Sequence, residues 1–299
     1  MLPALPTIDG LRPSRLQLRP GPWLTVLDGL CAHFPQIGRA CWLDRMARGR
    51  VLDAAAQPIT EHTDYRVGAE IRYYREVPAE PRLACAEAVL WADEHLVVAD
   101  KPHFLPVTPS GGYVADTLLA RLLRRLDNPQ LVPLHRIDRA TAGLVLFSAN
   151  AQSRARYQQL FPARAIDKTY EALAAPLPML SFPQVRRSRL LPGQPFFRTA
   201  EVAGMANSET HIGVIERHAS YWRYSLQPVT GRQHQLRVHM AALGAPIFND
   251  RWYPELCEAA PDDLDRPLQL LAKSLSFIDP VDGRPRHFES NFRLTAATD

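Results

Sequence analysis

The stretch that most constrains this chain is LHRIDRATAGLVLFS, residues 134–148. Its first half holds several polar side chains of the types that take part in catalysis and binding, which are His135, Arg136, Asp138, Arg139 and Thr141. From Gly143 onward the residues are apolar and of the types that favour β-strands. The pattern predicts a charged loop that leads into a buried strand, with Asp138 close to the mouth of that strand.

Two interpretations of Asp138 fit this stretch. A lone carboxylate between two arginines is typical of a reactive centre. The same arrangement is equally typical of a structural ion pair. The stretch alone does not distinguish the two, so other parts of the chain have to decide.

Length and composition indicate a globular protein with two parts. With 299 residues, the chain has room for a large catalytic domain and a smaller module. Hydrophobic residues make up 46% and charged residues 22%, and no apolar run is long enough to span a bilayer. The N-terminus lacks the basic start and long apolar core of a signal peptide, so we expect a cytoplasmic protein. The four cysteines form no CxxC pair, so neither a zinc site nor a disulfide framework is expected.

The basic residues are mostly arginines, and they occur in clusters. The net charge is only +4, but arginines gather at 121–125, 154–164 and 186–189. Guanidinium groups are planar, forked donors that suit phosphate and stack on bases. The clusters favour a polyanionic partner, although each cluster alone also fits a solvated surface.

Residues 1–80 have the pattern of a small α+β module. Apolar residues at helical spacing predict helices in TVLDGLCAHF and ACWLDRMARGR, and Ile71 and Tyr73 alternate as in a strand. The module resembles the small RNA-binding domain named after a ribosomal protein, and it equally fits a cap domain without that function. A proline-bearing segment, VPAEPRL, separates it from residues 81–299, which we predict to form the catalytic domain.

The remaining residues combine many predicted strands with few helices. A hairpin is predicted in VLWADEHLVVAD, helices in VADTLLARLLRRL and AQSRARYQQLF, and strands in DKTYEALAA, THIGVIER and WRYSLQPV. The Pro- and Arg-rich residues 176–198 show no clear period, and we expect an exposed excursion there. The whole pattern predicts a mixed α+β domain.

A second dense motif, TGRQHQLRVHMAALGAP, covers residues 230–246. Thr230 and Gly231 mark a turn, and residues 233–243 are predicted to form a helix that Gly244 closes. This helix carries Arg237 on the same face as its neighbours three and four positions away. The motif therefore presents a second set of polar residues beside a predicted turn.

Four kinds of chemistry compete for these two motifs. A metal site would take its ligands from His135, Asp138, His234 and His239. It fits poorly, because His234 and His239 are five residues apart and would face apart on a helix. A hydrolase would need a GxSxG elbow, and a dinucleotide site would need glycines after a strand; the sequence has neither. An enzyme with one reactive carboxylate, Asp138, among arginines uses the residues as they stand.

Several segments, taken in order, resemble the RluA-type pseudouridine synthases. HRIDRATAGLVLFS is similar to that family's catalytic signature, DKTYEALA to its second motif, and GRQHQLRVHMAALGAPIFND to its third. HLVVADKPHFLPVTPSGG resembles the lead-in strand that ends at Lys-Pro, and LLAKSLSFIDP resembles the closing strand. Several motifs that occur in the family's order are a far more specific sign of membership than any single motif.

The resemblance implies an α+β fold around a mixed, mainly antiparallel central sheet, with flanking helices and a catalytic cleft. It implies an isomerase that converts specific uridines of ribosomal or transfer RNA to pseudouridine without a cofactor or a metal. The target base would be flipped out, because the reacting carbon is otherwise shielded within a helix or stacked loop. RNA is then the expected partner, neither a membrane nor a metal is expected, and we expect a monomer.

The resemblance also implies roles for single residues. Asp138 matches the catalytic aspartate that attacks the nucleoside, Tyr170 the tyrosine that packs against the target base, and Arg237 the basic residue that pairs with the aspartate. Arg136 matches the residue that fills the gap in the RNA base stack after the target base is flipped out. The other basic residues of the motifs are expected to bind RNA, and these are Arg139, Lys101, Lys168, Arg232 and His234. Without the motifs, Tyr170 would be interpreted as a core aromatic and Arg237 as a surface charge.

The sequence departs from the family pattern at three places. Ala142 stands where many members have Ser, the lead-in reads KPHFLPVTPSGG, and the closing strand has AKS where His-Ala is frequent. None of these changes Asp138, Tyr170 or Arg237, so we expect activity to survive. We interpret the departures as marks of a subgroup with its own RNA target.

Overall fold

A computed structural model describes residues 8, 11–77, 80–257 and 262–295. The chain divides into two compact units. The first runs up to Pro81 and also takes residues 109–116 and 123–129, and the second takes residues 82–108, 117–122 and those from Gln130 onward. A single boundary at residue 80 therefore leaves out two later stretches of the first unit.

In the first unit, two helices accompany a small sheet. Helices α1 (Val26–His33) and α2 (Arg39–Ala47) share an apolar core with an antiparallel sheet in the order β1 (Ser14–Gln17), β3 (Glu70–Tyr73), β2 (Val51–Asp53). The helices follow the predicted apolar spacing, and Trp42 is fully buried in that core. The Thr25 hydroxyl accepts the backbone N–H of Asp28 at 3.2 Å and so caps α1.

A large sheet forms the second unit. Its strands are β4 (Ala88–Ala92), β5 (Leu96–Lys101), β6 (Val132–Pro133), β7 (Ala142–Ser148), β8 (Ile166–Ala174), β9 (Gln184–Pro192), β10 (Thr199–Val202), β11 (Ser208–Arg217), β12 (Trp222–Pro228), β13 (Leu270–Ile278) and β14 (Pro285–Glu289). The helices are α3 (Leu118–Leu126), whose residues are shared between the units, α4 (Arg154–Gln159) and α5 (Gln235–Ala242).

The strand order is β10-β9-β11-β12-β8-β13-β7-β5-β4, with β14 beside β13 and β6 beside β7. Among the described strands, only β7 and β13 pair in parallel. A large, mainly antiparallel sheet with few helices confirms the predicted α+β class. No helix in the described ranges is long and apolar enough to cross a membrane.

Strand β7 is buried along its whole length, as its apolar run predicts. It pairs with β5 on one side and with β13 on the other. Gly143 has a φ of +110°, and a Cβ there would lie 2.2 Å from the carbonyl oxygen of Ala272. Glycine is therefore required at the point where β13 approaches β7.

Two apolar clusters cover one face of this sheet. One contains Leu236 and Met240 of α5, and Tyr170 and Ala140 pack against it. The other contains Tyr157 of α4 and Ile166 at the start of β8. Strand side chains alternate, so Ile166, Lys168 and Tyr170 share one side of β8. Lys168 consequently lies between the two clusters.

The exposed excursion predicted for residues 176–198 is wrong. Residues 184–192 form β9, which pairs with both β10 and β11. Cross-strand ion pairs accompany the pairing, with Arg186 2.5 Å from Glu201 and Arg187 2.9 Å from Glu209. Burial alternates along β9, but its more buried side carries Arg186 and Ser188 while Val185 and Leu191 lie on its exposed side. Hydrophobicity therefore does not follow burial, and periodicity alone missed the strand.

Candidate active site

Asp138 lies in the loop that enters β7, where its carboxylate is 27% exposed. The loop is tightened by the backbone N–H of Thr141, which donates to the carbonyl oxygen of Asp138 at 3.1 Å. The carboxylate oxygen Oδ2 accepts a hydrogen bond from Nη1 of Arg237 at 3.2 Å. A partly exposed carboxylate beside a fixed cation is thus available to a bound molecule.

Arg237 is held rigidly from behind. Its Nε and Nη2 donate to the two oxygens of Asp250 at 2.8 and 2.7 Å, and the Asp250 side chain is only 1% exposed. The guanidinium also stacks on Trp252 and Tyr253, at 4.9 and 5.2 Å from their ring centroids. Burial alone would lower the pKa of Arg237, but its bonds to Asp250 and Asp138 raise it above the ordinary value. The cation is permanent and leaves one edge for Asp138.

Tyr170 lies in the middle of β8, opposite Leu226 on one neighbouring strand and Ala272 on the other. It packs, half-buried, against the same α5 cluster as Ala140 of the Asp138 loop. Burial raises the pKa of its hydroxyl, and the charge of Asp138 raises it further. The phenol is therefore neutral at physiological pH and close enough to Asp138 to sense its charge.

His234 stands immediately before α5, in the left-handed backbone region with a φ of 53°. Its ring is buried, and Nδ1 lies 2.9 Å from the hydroxyl of Tyr253. Its other nitrogen, Nε2, lies 3.7 Å from Oδ1 of Asp138. Burial lowers the pKa of the ring, although Asp138 opposes that effect.

Gln235 fixes the first turn of α5. Its amide nitrogen donates to the carbonyl of Glu209 and to the hydroxyl of Thr210, both at 2.9 Å, and its oxygen accepts from Thr230 at 2.7 Å. These buried bonds tie the helix to β11, which places His234 and Arg237 beside the Asp138 loop.

His239 points into the polar core and away from Asp138. It lies within 3.1 Å of Ser188, Ser208 and Thr210, and burial lowers its pKa to about 4. Within the described ranges, no group of three or more His, Cys, Asp or Glu side chains could hold a metal ion.

Lys101 and His135 support the loop from inside. Lys101 is fully buried, and its ammonium donates to the carbonyls of Pro102 and Arg139 at 2.9 and 3.1 Å. The structure thus puts Lys101 out of reach of an RNA phosphate, contrary to the expected contact. His135 accepts the backbone N–H of Leu146 at 3.1 Å, and burial lowers its pKa to about 3.

The other predicted RNA-binding residues differ in how they are held. Arg136 and Arg232 are exposed, and no hydrogen bond or ion pair to another described side chain fixes Arg136. Arg139 forms a bidentate pair with Asp262 at 2.6 and 2.7 Å. Lys168 lines a cleft of about 460 Å³ together with His211, and burial lowers its pKa.

No sequence pattern assigns a role to Asp250, Trp252 or Tyr253, although the structure places them at the site. All three lie in the irregular segment after α5 and contact Arg237 or His234. Their only signal is that the third motif continues to Asn249 and Asp250. Asp250 follows Arg237 by thirteen residues and lies beyond the end of α5, so helical periodicity could not predict that the two side chains pair.

Comparison with known proteins agrees with these observations. The model of the family described as RNA pseudouridylate synthase matches residues 95–242. The dual-specificity RNA pseudouridine synthase RluA of Salmonella typhimurium is 34% identical over 219 residues, which cover 71% of this chain and 94% of that protein. The ribosomal large subunit pseudouridine synthase D of Xanthomonas campestris is 32% identical over 219 residues, 66% of this chain and 63% of that protein.

Solved structures share the fold. The human RNA pseudouridylate synthase domain containing 4 aligns with a TM-score of 0.54 and 26% identity, over 69% of this chain and 88% of that one. The human RNA pseudouridylate synthase domain containing 1 aligns with a TM-score of 0.57 and 23% identity, over 71% and 86%.

Proposed function

Because this chain belongs to the RluA-type family of RNA pseudouridine synthases, and is thus an isomerase, we propose that it isomerises specific uridines in ribosomal or transfer RNA. In this proposal Asp138 is the nucleophile, and the target base is flipped out of its stack. The glycosidic bond to nitrogen breaks and re-forms to carbon, so no atom is gained or lost and no cofactor is needed.

The observation that carries the proposal is the pairing of Asp138 with Arg237. The carboxylate has one oxygen bonded to a buried cation whose two other donors are used by Asp250. Asp250, the structural partner of Arg237, is 1% exposed and has both oxygens bonded to the guanidinium, whereas Asp138 is bonded to it through one oxygen and keeps 27% of its side chain exposed. Such a carboxylate is oriented and still reachable, which a nucleophile requires.

Tyr170 has a separate role in the proposal. A phenol with a raised pKa holds its proton at neutral pH, so it does not begin the reaction as a base. Its ring presents a flat apolar surface next to Asp138, suited to packing against a uracil. We propose that it positions the flipped base and exchanges a proton only once the reaction has begun.

RNA binding is assigned to the exposed and cleft-lining cations. Arg136 is free to enter the space that the flipped base leaves, and Lys168 and Arg232 offer charge to the phosphates. Arg139, which the motif resemblance assigns to RNA binding, is instead assigned to shaping the loop through its ion pair with Asp262. Lys101 is reassigned to loop support, because its buried ammonium is already bonded to two carbonyls.

The choice of RNA follows the relatives. One relative is a dual-specificity RNA pseudouridine synthase, and another is a ribosomal large subunit pseudouridine synthase. We propose a structured ribosomal or transfer RNA as the substrate, and the compartment that holds such RNA, the cytoplasm, as the place of action.

Asp138→Asn tests the proposal. The change keeps the shape of the side chain and removes its nucleophilic oxygen, so pseudouridine formation should be abolished while RNA affinity stays within a few-fold. Tritium release from 5-³H-uridine RNA measures the chemistry, and fluorescence anisotropy measures the affinity. Asp265→Asn, the same change at an exposed position, is the matched control. Activity near wild type in Asp138→Asn would refute the role of Asp138.

A catalytically silent RNA-binding protein on the same scaffold is the rival. It predicts that RNA from a deletion strain contains every pseudouridine found in the parent strain. A missing site, restored by the wild-type protein but not by Asp138→Asn, would exclude that rival and name the substrate.

A further inference from the structure

His234 adopts a backbone conformation that histidine rarely takes. Its φ of 53° and ψ of 17° lie in the left-handed region, which costs a residue with a Cβ about 1–2 kcal/mol. Such strain persists only where the surroundings hold it, and it is concentrated at functional sites. Glycine or asparagine would fit this backbone with less strain, so the imidazole itself needs an explanation.

The hydrogen bonds around Tyr253 favour one tautomer of the His234 ring. The hydroxyl oxygen of Tyr253 accepts the backbone N–H of Thr199 at 2.6 Å. Its own proton is then free to be donated, and Nδ1 of His234 lies 2.9 Å away. If Nδ1 accepts that proton, a neutral ring must carry its hydrogen on Nε2. Burial, which lowers the pKa of His234, favours the neutral ring.

The Nε2 edge of the ring faces Asp138. Nε2 lies 3.7 Å from Oδ1, while Nη1 of Arg237 occupies Oδ2 of the same carboxylate at 3.2 Å. The first distance is too long for a hydrogen bond. Contacts of this kind in active sites commonly shorten as the reacting geometry forms. The two oxygens of Asp138 therefore face two different nitrogens, Nη1 of Arg237 in α5 and Nε2 of His234 immediately before it.

We propose that His234 is a positioning residue for Asp138. Tyr253 holds the neutral ring with its proton on Nε2, and this N–H orients Oδ1 so that one defined lone pair of the carboxylate meets the nucleoside. The inference rests on the proposed function, since it gives His234 a role at the proposed nucleophile. It also replaces the expectation that His234 contacts RNA.

Nuclear magnetic resonance tests the tautomer without any activity measurement. Long-range ¹H–¹⁵N spectra of the histidine rings, assigned with His234→Gln, should show an unprotonated Nδ1 and a protonated Nε2 at neutral pH. Tyr253→Phe should give a mixture of tautomers, and Asp138→Asn should move the Nε2 resonance. A charged ring, a proton on Nδ1, or an Nε2 signal indifferent to Asp138→Asn would overturn the proposal.

Single-turnover kinetics tests the consequence. His234→Gln should lower the maximal rate constant by about 10- to 100-fold, because misplacing a reacting group has effects of that size. The dissociation constant for RNA should stay within about threefold of the wild-type value, as it should in His287→Gln, a matched change at an exposed histidine. An unchanged rate with weaker binding would identify His234 as an RNA contact and overturn the positioning role.

The two proposals fail in distinguishable ways. If Asp138→Asn retains full activity, the proposed nucleophile is wrong, whatever tautomer His234 adopts. If Asp138→Asn is inactive and His234→Gln reacts at the wild-type rate, the nucleophile stands and the positioning role falls. Circular dichroism of each variant guards against a loss of rate that comes only from unfolding.

Discussion

At the residue scale, the site depends on one buried carboxylate that touches no substrate. Asp250 accepts two bonds from Arg237 and also the backbone N–H groups of Trp252 and Tyr253, at 2.9 and 3.1 Å. It therefore fixes the cation and the aromatic segment that stacks on it. Without Asp250, Arg237 would have Asp138 as its remaining carboxylate partner and could rotate.

We predict that Asp250→Asn lowers the free energy of unfolding by about 3 kcal/mol, because it removes the buried counter-charge of Arg237 and leaves the partly exposed Asp138 as its carboxylate partner. Asp262→Asn is the matched control, since Asp262 also forms a bidentate pair with an arginine but is 25% exposed rather than 1%. The control should lose no more than about 1 kcal/mol. Urea unfolding measures both, and equal losses would contradict the importance of burial.

Lys101 gives a prediction about pH. Burial lowers its pKa from 10.5 to about 7 in the folded protein. Between these values the unfolded chain binds more protons than the folded one, so this group makes stability rise with pH. The contribution approaches about 1.4 kcal/mol per pH unit within that window.

Lys101→Met removes the titrating group. The free energy of unfolding of the variant, relative to that of the wild type, should therefore fall steadily between pH 7.5 and 9.5, because only the wild type gains this contribution as pH rises. Urea unfolding at pH 7.5, 8.5 and 9.5 measures the difference. Parallel stability curves for the two proteins would show that Lys101 is not desolvated as the structure indicates.

At the element scale, the reactive loop is supported by strand pairing. Strand β7 follows Asp138 by four residues and pairs with β5 and β13. The parallel contact with β13 is possible only because residue 143 is glycine, whose missing side chain leaves room for Ala272. The position of Asp138 therefore depends on how closely two strands approach.

Gly143→Ala tests that dependence. A Cβ 2.2 Å from a backbone oxygen, at a φ of +110°, should destabilise the protein by more than about 3 kcal/mol and reduce activity with it. Gly213→Ala in β11 is the matched control, because a Cβ there meets its nearest atom at 3.9 Å. Thermal unfolding of both variants gives the comparison, and similar melting temperatures would contradict the steric argument.

Sequence periodicity predicts the elements in which the apolar residues coincide with the buried positions. The apolar spacing of α1 and α2 and the continuous apolar run of β7 each have one physical cause, and sequence periodicity reports it. In β9 the more buried side carries Arg186 and Ser188 and the exposed side carries Val185 and Leu191, so hydrophobicity does not follow burial and no apolar period marks the strand. Its pairing with β10 and β11 comes from backbone hydrogen bonds that side-chain patterns do not encode.

At the scale of the whole molecule, the basic residues indicate the kind of partner that the protein binds. Of 35 basic residues most are arginines, although the net charge is only +4. Many are already paired, such as Arg187 with Glu209 and Arg139 with Asp262. The unpaired, exposed remainder, including Arg136, is what RNA would meet.

We predict that RNA affinity depends strongly on salt, because each phosphate contact releases counterions. Between 50 and 200 mM salt the dissociation constant should rise by roughly tenfold or more. Arg136→Ala should reduce the slope of log affinity against log salt if its guanidinium lies near phosphate, and should leave the slope unchanged if it only fills the base stack. Fluorescence anisotropy at several salt concentrations measures both, and affinity independent of salt would refute an electrostatic interface.

The sequence by itself determined the α+β class, the order of the motifs and the presence of Asp138, Tyr170 and Arg237 among them, because periodicity and motif order are local properties of a chain. Only the tertiary structure decided which charges are paired and which are exposed. It buried Lys101, tied Arg237 to Asp250, and brought Tyr253 to His234. Burial depends on contacts between segments far apart in sequence, and burial decides whether a charged residue stabilises the fold, orients another residue or meets RNA.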